Sequence, residues 1–202
     1  MTRREQPSEI LHKLFAKRGM VRSKEILMAG VHHETLSRMK RDGEVRQIAR
    51  GVYVSSGLQL PAEYELALVA ARSHAAVVCL LSALHFHDIG TQLPRGIWIA
   101  VPRGQRVPRM DELPVNAVRY SGRSFTSGIE KHIIAGIQVK IYSPAKTVAD
   151  CFKHRNKIGF DVALEALRDV WRRRLCTADE LWKYAAICRV NNVMRPYLES
   201  LA

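Results

Sequence analysis

The stretch MVRSKEILMAGVHHETLSRMKRDGEVRQIARGVYVS, residues 20–55, decides the reading of this chain, because three local patterns follow one another within it. Ser23 can cap a short helix through its hydroxyl, leaving Ile26 and Leu27 to face a core, and Gly30 supplies a tight exit. A second helix is predicted from His33 to Asp42, with Leu36 and Met39 three residues apart on one face and Gly43 just past the end. Steps of about 100° around its axis put Glu34, Ser37, Arg38 and Arg41 on the side opposite Leu36 and Met39. After Gly43 the period changes to two: Val45, Ile48, Val52 and Val54 are interleaved with Arg46, Gln47, Arg50 and Tyr53. That pattern predicts a short hairpin with Gly51 as bulge or bend.

Helix, turn, helix and basic hairpin in this order make a winged helix-turn-helix. The outer face of the second helix suits the major groove, since Arg forks onto guanine edges or phosphates, Ser bonds either, and an acidic residue accepts from cytosine. Candidate DNA contacts are therefore Ser23, His33, Glu34, Ser37, Arg38 and Arg41, with Arg46 and Arg50 in the wing, placed to reach a phosphate or the minor groove. The bland alternative is a small helical subdomain whose charges only solvate it. Against it stand the basic helix face, the basic wing and the position of both in a strongly basic chain.

That basic character belongs to the whole molecule. The 202 residues carry a formal charge of +13, which points to a polyanionic partner, nucleic acid before others. Residues 1–56 hold 12 Lys+Arg against 6 Asp+Glu, and residues 57–202 hold 20 against 13, so the first segment is more than twice as basic per residue. An apolar content of 47% is ordinary for a chain that buries a core. No run approaches the roughly 18 apolar residues of a membrane span, and MTRREQPSEI lacks an apolar signal region, so a cytoplasmic location is expected. Cys79, Cys151, Cys176 and Cys188 are irregularly spaced, without a C-x-x-C pair, and read as small hydrophobes in a reducing compartment.

Around the central stretch, residues 1–6 read as a frayed polar lead. Pro7 and Ser8 open a helix with Ile10, Leu11, Leu14 and Phe15 on its apolar face, ended by Gly19. Downstream, helices are predicted from Pro61 to Arg72 and from His74 to His87. Strands follow at Gly96–Pro102, Val115–Ser121 and His132–Ser143, the last with Gly136 at a hairpin. Between the first two strands, RGQRVPR carries Arg103, Arg106 and Arg109 with no acid before Asp111, a candidate second anionic contact whose plain alternative is a solvated basic loop. Ser143 and Pro144 open a further helix. GFDVALEALRDVWRRR turns Val162, Leu164, Leu167 and Trp171 inward, Thr177 caps another helix, and a short last one spans Val193 to Leu201 around Pro196.

Patterns for enzyme chemistry are weak. His85, His87 and Asp88 point in different directions on a helix, so no metal site is expected. Lys146 and Thr147 imitate the end of a phosphate loop but lack its glycines. Asp150 reads as solvated or ion-paired. No Glu has a Lys two positions on, and no G-x-S-x-G or H-E-x-x-H occurs. The chain is read as a non-enzyme that needs no cofactor.

GVHHETLSRMKRDGEVRQIARGVYV, leading into an R-G-V-Y wing, resembles the N-terminal winged helix of AbiEi-type antitoxins of bacterial type IV toxin-antitoxin systems. The later IYSPAKTVADCFKHR resembles a segment of the same family's C-terminal domain. The resemblance implies an antitoxin that binds inverted repeats in its own promoter, represses its operon, and counteracts a nucleotidyltransferase toxin without a tight complex. On that resemblance the groove helix is His33 to Asp42, with Ser37, Arg38 and Arg41 leading and Arg46 and Arg50 in the wing; Arg103, Arg106 and Arg109 match no family motif.

The expected fold is α+β: a winged helix-turn-helix over residues 1–57, then an α+β domain over 58–202 with a small sheet and several helices. The expected partners are double-stranded DNA and the toxin, with no membrane; a monomer that pairs on DNA half-sites and a preformed dimer are both compatible with the sequence. The alternative is a transcriptional regulator whose α+β domain senses a ligand or partner, with no toxin.

Overall fold

The computed structural model describes residues 6–110 and 113–201. The polar lead at residues 1–5 and Asp111 lie outside the described residues. The fold is α+β, with two sheets in two compact units. One unit comprises residues up to 72 together with 133–138, and the other comprises 73–132 and the residues from 139 onward.

The first unit runs α1 (Pro7–Arg18), β1 (Met20–Arg22), α2 (Ser23–Met28), α3 (His33–Arg41), β2 (Val45–Ala49), β3 (Val52–Ser55) and α4 (Tyr64–Arg72). Pro7 starts α1 with a preset φ, and Glu9 accepts the Gln6 amide at 3.2 Å. Leu11 and Phe15, one turn apart, are buried, and Gly19 at φ 71° ends the helix with its amide on the Phe15 carbonyl. The three strands order as β1-β3-β2, all antiparallel, with Val21 opposite Tyr53 and Gln47 opposite Tyr53 from the other side. Leu11, Phe15, Ile26, Leu36, Met39, Val45 and Tyr53 share one core.

Three expectations for this unit change. Ser23 is the first residue of α2 and not its cap: its hydroxyl donates to the Gly51 carbonyl, while Glu25 accepts the Arg22 amide at 2.8 Å. Leu27 is 58% exposed, because six residues of helix present only one side to the core and Ile26 fills it. Tyr53 is buried, because β1 pairs along the far edge of β3 and makes it the central strand; Ile48 falls at a register shift.

The second unit contributes β4 (Val77–Val78), α5 (Leu80–Phe86), β5 (Ile97–Pro102), β6 (Val115–Tyr120), α6 (Arg123–Thr126), β7 (Ile129–Ile134), β8 (Ile137–Tyr142), α7 (Pro144–Lys153), α8 (Arg155–Ile158), α9 (Phe160–Arg172), α10 (Ala178–Cys188) and α11 (Asn191–Glu199). Its sheet has the order β6-β5-β4-β8-β7. In it β5 and β6 are parallel, β4 runs antiparallel to β5, and β4 is parallel to β8. The β7–β8 hairpin turns through Ala135 and Gly136 at φ 47° and 79°, the pair of left-handed residues that a tight hairpin favours; its tip counts with the first unit.

The helix expected from His74 to His87 divides instead, with Val77 and Val78 forming the central strand and only Leu80–Phe86 helical. A short apolar run is compatible with either state, and here sheet pairing on both sides decides it. Around the sheet packs a core in which every residue of α7 from Ala145 to Phe152 is buried. Against it lie Ala163, Ala166 and Val170 of α9, small enough for close approach, while Leu164 and Trp171 are only half-buried. Ser143 occupies the N-cap of α7 without a side-chain cap bond. Thr177 does cap α10: the Glu180 amide donates to its hydroxyl at 3.2 Å, and its own amide donates to the Glu180 carboxylate at 2.9 Å. Thr177→Ala is expected to cost about 1 kcal/mol in urea unfolding; a change under about 0.3 kcal/mol would mean the cap carries no stability.

Candidate nucleic-acid interface

Burial of Leu36 and Met39 fixes the rotation of α3 and turns His33, Glu34, Arg38, Lys40 and Arg41 to solvent, with Ser37 half-buried. Glu34 lies in the first turn and Arg38, Lys40 and Arg41 in the last, signs that also complement the helix dipole. The Ser37 hydroxyl is 3.2 Å from His33 Nδ1. Among the described residues no carboxylate pairs with Arg38, Arg41 or Arg50, so these guanidinium groups keep their donors for an outside anion.

The wing is held to the helices by local bonds. The Ser23 amide donates to the Gly51 carbonyl at 2.9 Å and its hydroxyl to the same atom at 3.3 Å, and Gly51 turns at φ 75°, which leaves Arg50 exposed at the tip. Ser23 is thus half-buried with its hydroxyl engaged inside the unit. Arg46, also exposed, reaches the Leu58 carbonyl at 3.5 Å. Lys40 donates to the Gln47 side chain at 2.9 Å and joins the exposed side of α3 to the wing. Periodicity alone did not single out Lys40 and Gln47, because their proximity depends on how the hairpin folds back on the helix.

Glu25 stabilises the junction between α1, β1 and α2. Burial opposes its ionisation, but hydrogen bonds from the Arg22 side chain and amide, with the Arg22 and Arg18 charges, outweigh burial and hold the carboxyl below its ordinary 4.5. A carboxylate lowered in the folded state contributes stability above its unfolded pKa, and that contribution disappears as pH falls through the folded value. Thermal melts should therefore show the wild type losing stability below about pH 4.5 by more than Glu25→Gln does. Parallel curves through that window would remove Glu25 from the account.

In the second unit the proposed basic loop separates. Arg103 lines a cavity together with Arg119, Arg123, Lys153, Lys183 and Arg189, whereas Arg106 and Arg109 are exposed and do not line it. Beneath this region Lys146 and Asp150 form a fully buried pair, Nζ to Oδ2 2.5 Å, with Cys188 donating to the other carboxylate oxygen at 3.2 Å. Lys146 Nζ stands 4.0 Å above the Tyr142 ring, a cation over an aromatic face. Burial raises the Asp150 carboxyl against the pull of Lys146, and burial pushes the Cys188 thiol up to about 12 and the His154 imidazole down to about 4. His87 bonds the Tyr142 carbonyl through Nε2 at 2.8 Å, and His85 faces solvent. Among the described residues no three His, Cys, Asp or Glu side chains gather as metal ligands.

A three-helix core carrying a basic outer helix face and a basic hairpin is the architecture of a winged-helix regulator. Residues 9–56 match the family described as transcriptional regulator, AbiEi antitoxin. The RV2827C protein from Mycobacterium tuberculosis, known from a crystal structure, shares the fold at a TM-score of 0.60 and 17% identity. The likeness covers 89% of this chain and 70% of that one. No curated protein matches the chain. Among the described residues no helix is long and apolar enough to cross a membrane.

Proposed function

We propose that the protein is a cytoplasmic, DNA-binding antitoxin of a type IV toxin-antitoxin system. The winged helix binds inverted repeats in its own promoter and represses the operon, and the α+β domain counteracts a nucleotidyltransferase toxin without a tight complex. The observation that carries the DNA half is the exposure of Arg38 and Arg41, unpaired among the described residues, on one side of α3, with Arg50 at the wing tip, opposite a core face fixed by Leu36 and Met39. In this reading Arg38, Arg41, Ser37, His33 and Glu34 face base edges, Arg46 and Arg50 hold backbone or minor groove, and Ser23 positions the wing turn. The antitoxin half is supported by the family of residues 9–56 alone.

The deciding experiment titrates the purified chain against its upstream DNA and against a scrambled duplex at several salt concentrations. A preference of at least about a thousandfold, weakening with salt, supports the repressor. Equal affinities would reduce the basic surface to general polyanion binding. Arg50→Ala should weaken both duplexes alike and lower the salt slope by about 1, the mark of one lost phosphate contact; an unchanged slope would take Arg50 off the backbone. The alternative, a regulator whose α+β domain senses a ligand without any toxin, draws its support from the basic cavity of that domain.

A further inference from the structure

The cavity of the second unit is an open cleft of about 960 Å³, at the large end of the range for small-molecule sites. Six of its lining residues are cations: Arg103, Arg119, Arg123, Lys153, Lys183 and Arg189. Among the described residues no carboxylate lines it. Each comes from a different place in the chain. Arg103 follows β5, Arg119 is near the end of β6, Arg123 opens α6, Lys153 ends α7, Lys183 is on α10 and Arg189 follows it. β5 and β6 are parallel and in register from Ile97 opposite Val115 to Pro102 opposite Tyr120, so the cavity lies off the carboxyl ends of a parallel pair. In open α/β sheets, that end is where ligands bind.

The walls are tied together before any ligand arrives. Arg119 donates to the Gln105 carbonyl at 2.7 Å, Ser124 on α6 donates to the Ile187 carbonyl on α10 at 3.0 Å, and Lys153 Nζ stands 5.1 Å over the ring of buried Tyr120. Six like charges around one concavity repel one another, and the buried Asp150 below is already engaged by Lys146. A compact polyanion relieves that repulsion, and a preformed wall lowers the ordering cost of binding it.

We infer that this cavity binds a small organic polyphosphate, of which a nucleoside triphosphate is the representative. Adjacent phosphates match several converging guanidinium and ammonium groups, and Ala186 and Ile187 offer the remaining wall to an apolar ring. The same phosphate chemistry occurs along a nucleic-acid backbone. A duplex, however, presents its phosphates spaced along a convex surface and would bring few of them into one concavity, so the free ligand is favoured. The inference does not depend on the winged helix or its operator.

The test is calorimetric titration of the full chain with ATP and with inorganic tripolyphosphate, alongside thermal melts. The variants are Arg123→Ala, Lys183→Ala and Arg189→Ala, all at exposed positions, with Arg195→Ala, exposed on α11 and outside the cavity lining, as the control. Expected is saturable binding of both probes with a rise in Tm, weakened tenfold or more in each cavity variant and unchanged in the control. If a cavity variant is poorly folded, hydrogen exchange on the wild type supplies the answer, since ATP should protect amides in 119–124 and 183–189. No binding at millimolar probe, equal binding by cavity variants and wild type, or protection elsewhere would each overturn the site. So would cavity variants that lower only duplex affinity, which would make the cavity part of a nucleic-acid surface. Failure of the operator titration leaves all of these readouts intact.

Discussion

Asp150→Ala should lower the free energy of unfolding by about 3–5 kcal/mol, measured by urea denaturation of the intact chain. The carboxylate and its partner Lys146 are both 0% exposed, and they meet at 2.5 Å on successive turns of α7, a helix buried along most of its length. Removing Asp150 leaves an ammonium in the core with, among the described residues, the faces of Tyr142 and Tyr120, at 4.0 and 4.9 Å, to stabilise its charge. It also leaves the Cys188 thiol without its acceptor. A desolvated ion that loses its counter-ion either stays charged at high cost or gives up its proton, and both routes destabilise the native state. Replacing the pair together, Lys146→Met with Asp150→Leu, should recover most of the loss, because well-packed apolar residues need no compensation. A single-variant loss under about 1 kcal/mol would show that water reaches the pair.

Arg38→Ala should cost about 1–3 kcal/mol on the operator while changing affinity for a scrambled duplex much less. The argument is geometric. Leu36 and Met39 are buried, which fixes the roll of α3, and Arg38 then projects on the exposed side with no acidic partner among the described residues. A guanidinium that forks onto a guanine edge distinguishes bases, whereas one on a phosphate does not. The comparison with Arg50→Ala is therefore part of the experiment: one variant should relax sequence preference, the other the salt slope. Equal losses on both duplexes for Arg38→Ala would move it from base edge to backbone.

The winged helix was legible because its contacts are mostly local. Leu11 and Phe15 are one turn apart, Leu36 and Met39 lie within one helix, and Gly19, Gly43 and Gly51 all adopt the positive φ that their places in the pattern demanded. Within that frame Leu27 and Tyr53 departed from the expected side, and Ser23 from the expected partner. The hydroxyl of Ser23 can satisfy a helix amide or a wing carbonyl, and only the position of Gly51 selects the second. Met20–Arg22 is too short to announce itself as a strand until β3 pairs with it.

The second unit was legible to a lesser degree. The Ser-Pro start of α7 and the Thr177 cap of α10 could be read directly, as could the Gly136 hairpin. The apolar stretch around Val77 could not, because burial on all sides erases the periodicity that separates strand from helix. The cavity cations span Arg103 to Arg189, and no spacing rule connects them.

By itself, the sequence determined the order of helix, turn, helix and wing, the outward side of α3 and the basic character of the molecule, since these follow from backbone propensity, residue period and charge within short windows. Tertiary structure alone decided that β3 is a central strand, that Lys146 and Asp150 face each other in a buried core, and that six cations line one space. The physical reason is common to all three. Burial, pairing and convergence of charge depend on which remote segments meet, and that is set by the packing of the whole domain rather than by any local stretch.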